Sequence, residues 1–185
     1  QKVLFFLHNK LSKMNTSIQE LVKIANSQVG TKEQGGNNKG ADVVKYQQAT
    51  WLKPDNWAWC AAFVCWCIRE WLKIESVKVE LKFTEAIISK WRPRTAGAFD
   101  FLNWAKDQKL KVFDEKLPAK AGDIVIFDFS HIGIVVEDQK PNSKEIITVE
   151  GNTNNKGERD SESGDGVWKK TRSTSLVRAY IRIIE

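Results

Sequence analysis

Apolar residues recur along this chain with two different periods, and the change from one to the other divides it. In the first part the spacing is helical. Ile18, Leu21, Val22, Ala25 and Val29 fall on one face of a helix. Ser17 and Glu20 have the form of a capping box, and Gly30 stands where that helix should stop. A loop of glycine and amide residues follows from Glu33 to Gly40, and a shorter helix is expected from Ala41 to Thr50. Pro54-Asp55-Asn56 signals a turn or a helix start. From Ala58 to Leu72 the chain is apolar on every side until Arg69. A helix that is hydrophobic all round is a buried one, so this is the expected central helix. Two more helices are predicted, from about Thr84 to Lys90 and from about Ala96 to Lys109.

Beyond Gly122 the pattern changes. Ile124 to Phe127, Ile132 to Val136, Glu145 to Val149 and Leu176 to Ile184 are β-branched and aromatic runs. Turn residues separate them: Pro118 and Gly122, Ser130, and Pro141-Asn142-Ser143. The polar, Gly-rich stretch 151–166 reads as a surface loop after a strand. Helices first and strands after predict an α+β fold, with a central buried helix packed on a mostly antiparallel C-terminal sheet. With no internal repeat or boundary in view, residues 14–185 are expected to form a single domain. Residues 1–13 precede the only methionine, Met14, and read as an expression-vector remnant or a trimmed leader. The apolar run from Val3 to Leu7 is too short for the core of a secretion signal.

Composition narrows the partners. No apolar stretch approaches the ~20 residues of a membrane span. The net charge of +6 and pI near 9.2 favour an anionic partner: nucleic acid, anionic lipid or a bacterial wall. Lys and Arg are scattered without a long run, so a nucleic-acid arm is not signalled. Eight Trp exceed the needs of a core this size, and one or two are expected to line a ligand groove. The three cysteines, Cys60, Cys65 and Cys67, form neither a secreted disulfide framework nor a zinc pattern. In a helix, Cys60 and Cys67 share a face roughly 10 Å apart along the axis, and Cys65 and Cys67 point to opposite sides. Three free thiols are expected.

The candidate chemistry is thiol chemistry. A thiol becomes a useful nucleophile when a neighbouring imidazole takes its proton and a third polar group orients that imidazole. Cys60 follows the Pro-Asp-Asn turn near the start of the buried helix, where the helix dipole favours a thiolate. Cys65 and Cys67 lie deeper, where burial disfavours one. The bland alternative for Cys60 is a buried structural cysteine. His131 begins a strand, and its only rival, His8, lies in the doubtful leader. If the strands flanking 137–144 pair as a hairpin, His131 lies beside Glu150 and Asn152. Alternation puts those two on one side of the strand, and either could orient the ring. A structural histidine and a solvated turn are the alternatives.

In combination these residues resemble the CHAP family, the cysteine- and histidine-dependent amidohydrolase/peptidases of papain-like fold. The matching pieces are Trp59-Cys60-Ala61-Ala62-Phe63-Val64, Ala121-Gly122-Asp123-Ile124-Val125-Ile126-Phe127, His131-Ile132-Gly133-Ile134-Val135 and Glu150-Gly151-Asn152. The start (Gln28 to Glu33, Gly36 to Gly40) and the tail (Gly166 to Arg172, Val177-Arg178) are similar to phage-type members. The resemblance implies a peptidoglycan hydrolase, either an N-acetylmuramoyl-L-alanine amidase or an endopeptidase. It makes Cys60 the nucleophile, His131 the base, and Glu150 with Asn152 the orienting residues. The Cys60 N–H is a natural oxyanion donor at a helix start; Asn56 is a candidate second donor or simply a helix cap. Some members hold calcium in an Asp-rich loop. The loop here has one acid and several amides, so no metal or other cofactor is expected.

The implied setting is the bacterial cell wall, periplasmic or extracellular, reached by a separate delivery route because no signal peptide is evident. Phage lysin and interbacterial toxin both fit, and a self-secreted autolysin fits less well. A toxin would have a cognate immunity protein over Cys60. A monomer is expected, with no nucleic-acid partner. Two other readings compete. One is a thiol acyltransferase or deamidase acting on protein side chains. The other is a non-catalytic basic wall-binding module.

Overall fold

The computed structural model describes residues 16–156 and 164–184. The expectations for residues 1–13, His8 included, fall outside them. Among the described residues, helices come first: α1 (Thr16–Ser27), α2 (Ala41–Gln47), α3 (Cys60–Trp71), α4 (Glu75–Leu81), α5 (Glu85–Trp91) and α6 (Asp100–Asp107). The strands β1 (Lys111–Phe113), β2 (Ile124–Phe127), β3 (Ile132–Val135), β4 (Glu145–Thr153), β5 (Gly166–Ser173) and β6 (Val177–Arg182) follow. They form one six-stranded antiparallel sheet in the order β1-β6-β2-β3-β4-β5. This is the α+β architecture expected, with the buried helix α3 between α1 and α2 on one side and β3 and β4 on the other.

Alternation along the strands sorts the core into two layers. Ile124, Ile126, Ile132, Ile134 and Val149 join the large cluster that contains α3. Val125, Phe127, Val135, Ile146 and Tyr180 make a smaller cluster on the opposite face. Because both faces are covered, β2 and β3 are buried throughout and read as continuous apolar runs. Asp123, buried at the head of β2, accepts from Arg182 Nε and Nη2 at 2.8 and 2.7 Å. That pairing accounts for an acid in so apolar a stretch.

Several elements differ from expectation. Ser17 lies inside α1, and its hydroxyl donates to Glu80 of α4. Helix α2 ends at Gln47, α3 begins at Cys60, and α6 is shorter at both ends. Helix α4 was not foreseen: Val77, Val79 and Leu81 alternate with polar residues and mask its helical period. Nor were β1 and β5. The stretch expected as loop from 151 to 166 instead carries the end of β4, and β5 opens at Gly166.

Candidate active site

Cys60 is the first residue of α3, and its position is set by what surrounds the helix start. The indole of Trp59 is buried, stacks on Tyr46 at 5.3 Å, and donates to Glu33 Oε1 at 2.8 Å. The preceding loop is held by Gln47, whose buried amide donates to the carbonyls of Asp55 (2.6 Å) and Trp57 (3.0 Å). On the sheet side, Gly151 lets the first turn of α3 approach β4. A Cβ there would stand 2.6 Å from Phe63 Cβ and 2.8 Å from Trp59 Cζ3.

His131 ends the tight β2–β3 turn, in which Ser130 has φ 59 and the Phe127 N–H donates to the His131 carbonyl at 2.9 Å. Its side chain is fully buried, with the ring parallel to that of Phe129 at 5.7 Å. The β3–β4 register pairs Ile134 with Val149 and Val135 with Thr148. Continued by one step, it sets Gly133 opposite Glu150. A Cβ on Gly133 would lie 2.7 Å from Glu150 Cγ, so the bare position leaves the carboxylate room to reach the ring. Glu150 Oε2 lies 2.9 Å from His131 Nε2.

The carboxylate is gripped from its other side as well. Thr148 Oγ1 donates to Oε1 at 2.6 Å. Arg172, buried on β5, donates through Nε to Oε1 at 3.0 Å and through Nη2 to Oε2 at 2.6 Å. Its guanidinium lies over the rings of Phe127 and Phe129. Burial alone would raise the Glu150 pKa. Hydrogen bonds from His131 and Arg172 outweigh it and hold the group at about 2. Burial likewise favours a neutral His131, but interaction with Cys60 first and Glu150 second outweighs it and raises the pKa to about 9.

With Nε2 committed to Glu150, Nδ1 is the ring nitrogen left for the thiol. It is buried and has no formed hydrogen bond among the described residues. Interaction with Cys60 is the larger of the two influences that raise the ring's pKa, yet no thiol–imidazole hydrogen bond is formed. Catalytic hydrogen bonds commonly tighten only when substrate arrives. The other thiols have no such neighbour. Cys65 donates to the Thr95 carbonyl at 3.4 Å and burial pushes it up to about 12; burial raises Cys67 well above its ordinary value. All three cysteines are free.

Of the two candidate orienting residues, Glu150 is the one that reaches the ring. Asn152 is buried, but it sits in a bulge where the β4–β5 register shifts between Glu150 and Thr153, and its φ is 54. A bulge breaks the two-residue alternation that would have put both side chains on one side. No hydrogen bond joins the Asn152 side chain to His131 or Glu150. Asn56 is exposed in the loop before α3, its N–H donating to the Asp55 carboxylate at 2.8 Å, and no contact links it to Cys60. Arg172 was not singled out beforehand, and its neighbours Lys169 and Lys170 give it the look of a solvated basic edge. Among the described residues, no three His, Cys, Asp or Glu side chains gather as a metal site would require.

Taken chemically, a thiol at a helix N-terminus faces an imidazole whose far nitrogen is anchored to a buried, ionised carboxylate. That arrangement can deprotonate the thiol and return the proton to a leaving group. Comparison with known proteins agrees with the chemistry. The family model of the CHAP domain matches residues 52–152, more than half of the chain, from the loop before α3 through Asn152. No curated protein sequence matches the chain.

Proposed function

Because this chain belongs to the CHAP family, whose general role is peptidoglycan hydrolysis, we propose that it cleaves an amide bond of the bacterial cell wall by acyl transfer to Cys60. The observation that carries this reading is the buried Glu150–His131 pair, with Nδ1 left open beside a thiol at the start of a helix. In the proposed path, the Cys60 thiolate attacks the amide carbonyl. The oxyanion forms against the first-turn N–H groups of α3, which have no acceptor within the helix. Protonated His131 gives its proton to the leaving amine, and a thioester to Cys60 remains. Water, deprotonated by His131, then releases the acyl group. Glu150 stays ionised throughout, fixing the tautomer and stabilising the imidazolium.

The bonds open to this chemistry are the muramoyl–alanine amide and the peptide amides of stem and cross-bridge. Lysis of a host wall and attack on a competitor's wall both use the same step. Purified wall should be incubated with the wild type and with Cys60→Ser, and the fragments analysed by mass spectrometry. Matched new amine and carboxylate ends are expected with the wild type alone. Acyl groups passed to added amines without free carboxylates would replace hydrolysis by transfer. Cleavage that survives Cys60→Ser would remove Cys60 from the reaction.

A further inference from the structure

Away from Cys60, the segment after α5 carries two arginines, Arg92 and Arg94. Arg92 is half-buried and donates to the Ala49 carbonyl at 2.9 Å, and exposed Arg94 donates to the Ser89 carbonyl at 3.1 Å. Among the described residues, neither guanidinium is in an ion pair. Burial, Arg94 and Arg69 together lower the Arg92 pKa, as expected for cations crowded without a counter-ion. Arg69 itself is paired with Glu70 at 3.0 Å.

Two depressions meet at these arginines. The larger, about 460 Å³, is lined by Trp51, Asn103 and Trp104 as well as Arg92 and Arg94. The smaller, about 240 Å³, runs past Arg69, Leu72, Lys73 and Glu85, the last paired with Lys78 at 3.2 Å, and the two share Ser89, Arg92 and Arg94. Trp51 is 78 % exposed, although its backbone N–H is fixed to the Arg94 carbonyl at 2.9 Å. An indole held open beside unpaired guanidiniums presents a flat apolar face next to an anion-binding fork. Asp100 and Asp107 also line the larger depression; Asp100 is engaged by the Thr95 hydroxyl at 2.7 Å, and Asp107 is exposed.

We propose that this groove binds an anionic saccharide of the wall, its ring against Trp51 and the carboxylate or phosphate it bears, on the sugar or on its stem peptide, on Arg92 and Arg94. The choice of polymer rests on the peptidoglycan reading above; the demand for an anionic saccharide comes from the groove. The chain from Trp51 to Cys60 spans at most about 30 Å, and the buried Gln47 amide pins it. The groove and the thiol therefore lie within reach of a single polymer.

Sedimentation with insoluble wall tests this in a Cys60→Ala background, where binding is read without cleavage. Two substrates are used: whole wall, and peptidoglycan stripped of phosphate polymers by acid. Trp51→Ala and Arg94→Gln should each weaken binding about fivefold or more, and Trp51→Phe should restore most of it. Loss on both substrates assigns the carboxylate, and loss on whole wall alone assigns the phosphate. Unchanged binding of both variants to both substrates would overturn the site. With Cys60 present, Trp51→Ala should lose cleavage of insoluble wall more than cleavage of a small soluble muropeptide; an equal fall on both would overturn a separate groove. If the wild type cleaves no muropeptide, the proposed reaction fails while the binding result stands.

Discussion

At Glu150 a full negative charge sits out of water, and its cost is offset by Arg172, Thr148 and His131 together. Removing one partner from a buried ion pair leaves the other charge uncompensated, typically at about 3–5 kcal/mol. Arg172→Met should therefore lower stability by roughly that amount in urea unfolding, and Arg172→Lys should recover part of it. Protonation gives a second test. The His131 pKa is raised from 6.5 to about 9, so the stability from its imidazolium is complete below 6.5 and is lost as pH rises through 9. Glu150 is lowered from 4.5 to about 2, so its contribution is complete above 4.5 and is lost as pH falls towards 2. Hydrolysis needs the imidazolium to protonate the leaving amine, so its alkaline limb should fall near 9. Glu150→Gln should move that limb downward in a pH–rate profile. Cys60 and His131 stand out in the sequence because it holds three cysteines and two histidines, whereas the sequence left Glu150 and Asn152 as equal candidates to orient the ring. Arg172 does not stand out, since its meaning depends on the pairing of β4 with β5.

Among the elements, two glycines decide how closely the reacting groups approach. Gly151→Ala would drive a methyl into Phe63 and Trp59 and push α3 from the sheet. Overpacking of this kind costs typically about 1–3 kcal/mol, and activity should fall further than stability because Cys60 moves with α3. Gly133→Ala would instead crowd the Glu150 stem; comparing kcat with the urea midpoint for each variant checks both. The same packing explains what was legible. The all-round apolar α3 and the runs of β2 and β3 announced themselves because burial on every side leaves no polar face to confuse the period. Helix α4, with Val79 68 % exposed, buries too little to show its helical face. In β5, Lys169, Lys170 and Arg172 read as solvated charge, although Lys170 and Arg172 are buried. The Lys170 amine is taken up by the carbonyls of Asn154 and Lys156, partners that appear only once the chain has turned back.

For the whole molecule, the net charge of +6 is proposed to draw the protein to a wall rich in carboxylate and phosphate. Exposed charges are screened beyond about 8 Å at physiological salt, so wall binding should weaken steadily as salt is raised, and salt-independent sedimentation would contradict this. The proposed reaction requires that the thiol at the head of α3 and the ring at the β2–β3 turn work as a couple. Site-resolved alkylation of the native protein at neutral pH, with and without His131→Ala, measures that coupling directly. Cys60 should be labelled while Cys65 and Cys67 remain unmodified, and its rate should drop about tenfold or more when the imidazole is removed. An unreactive Cys60, or a rate indifferent to His131, would contradict the couple.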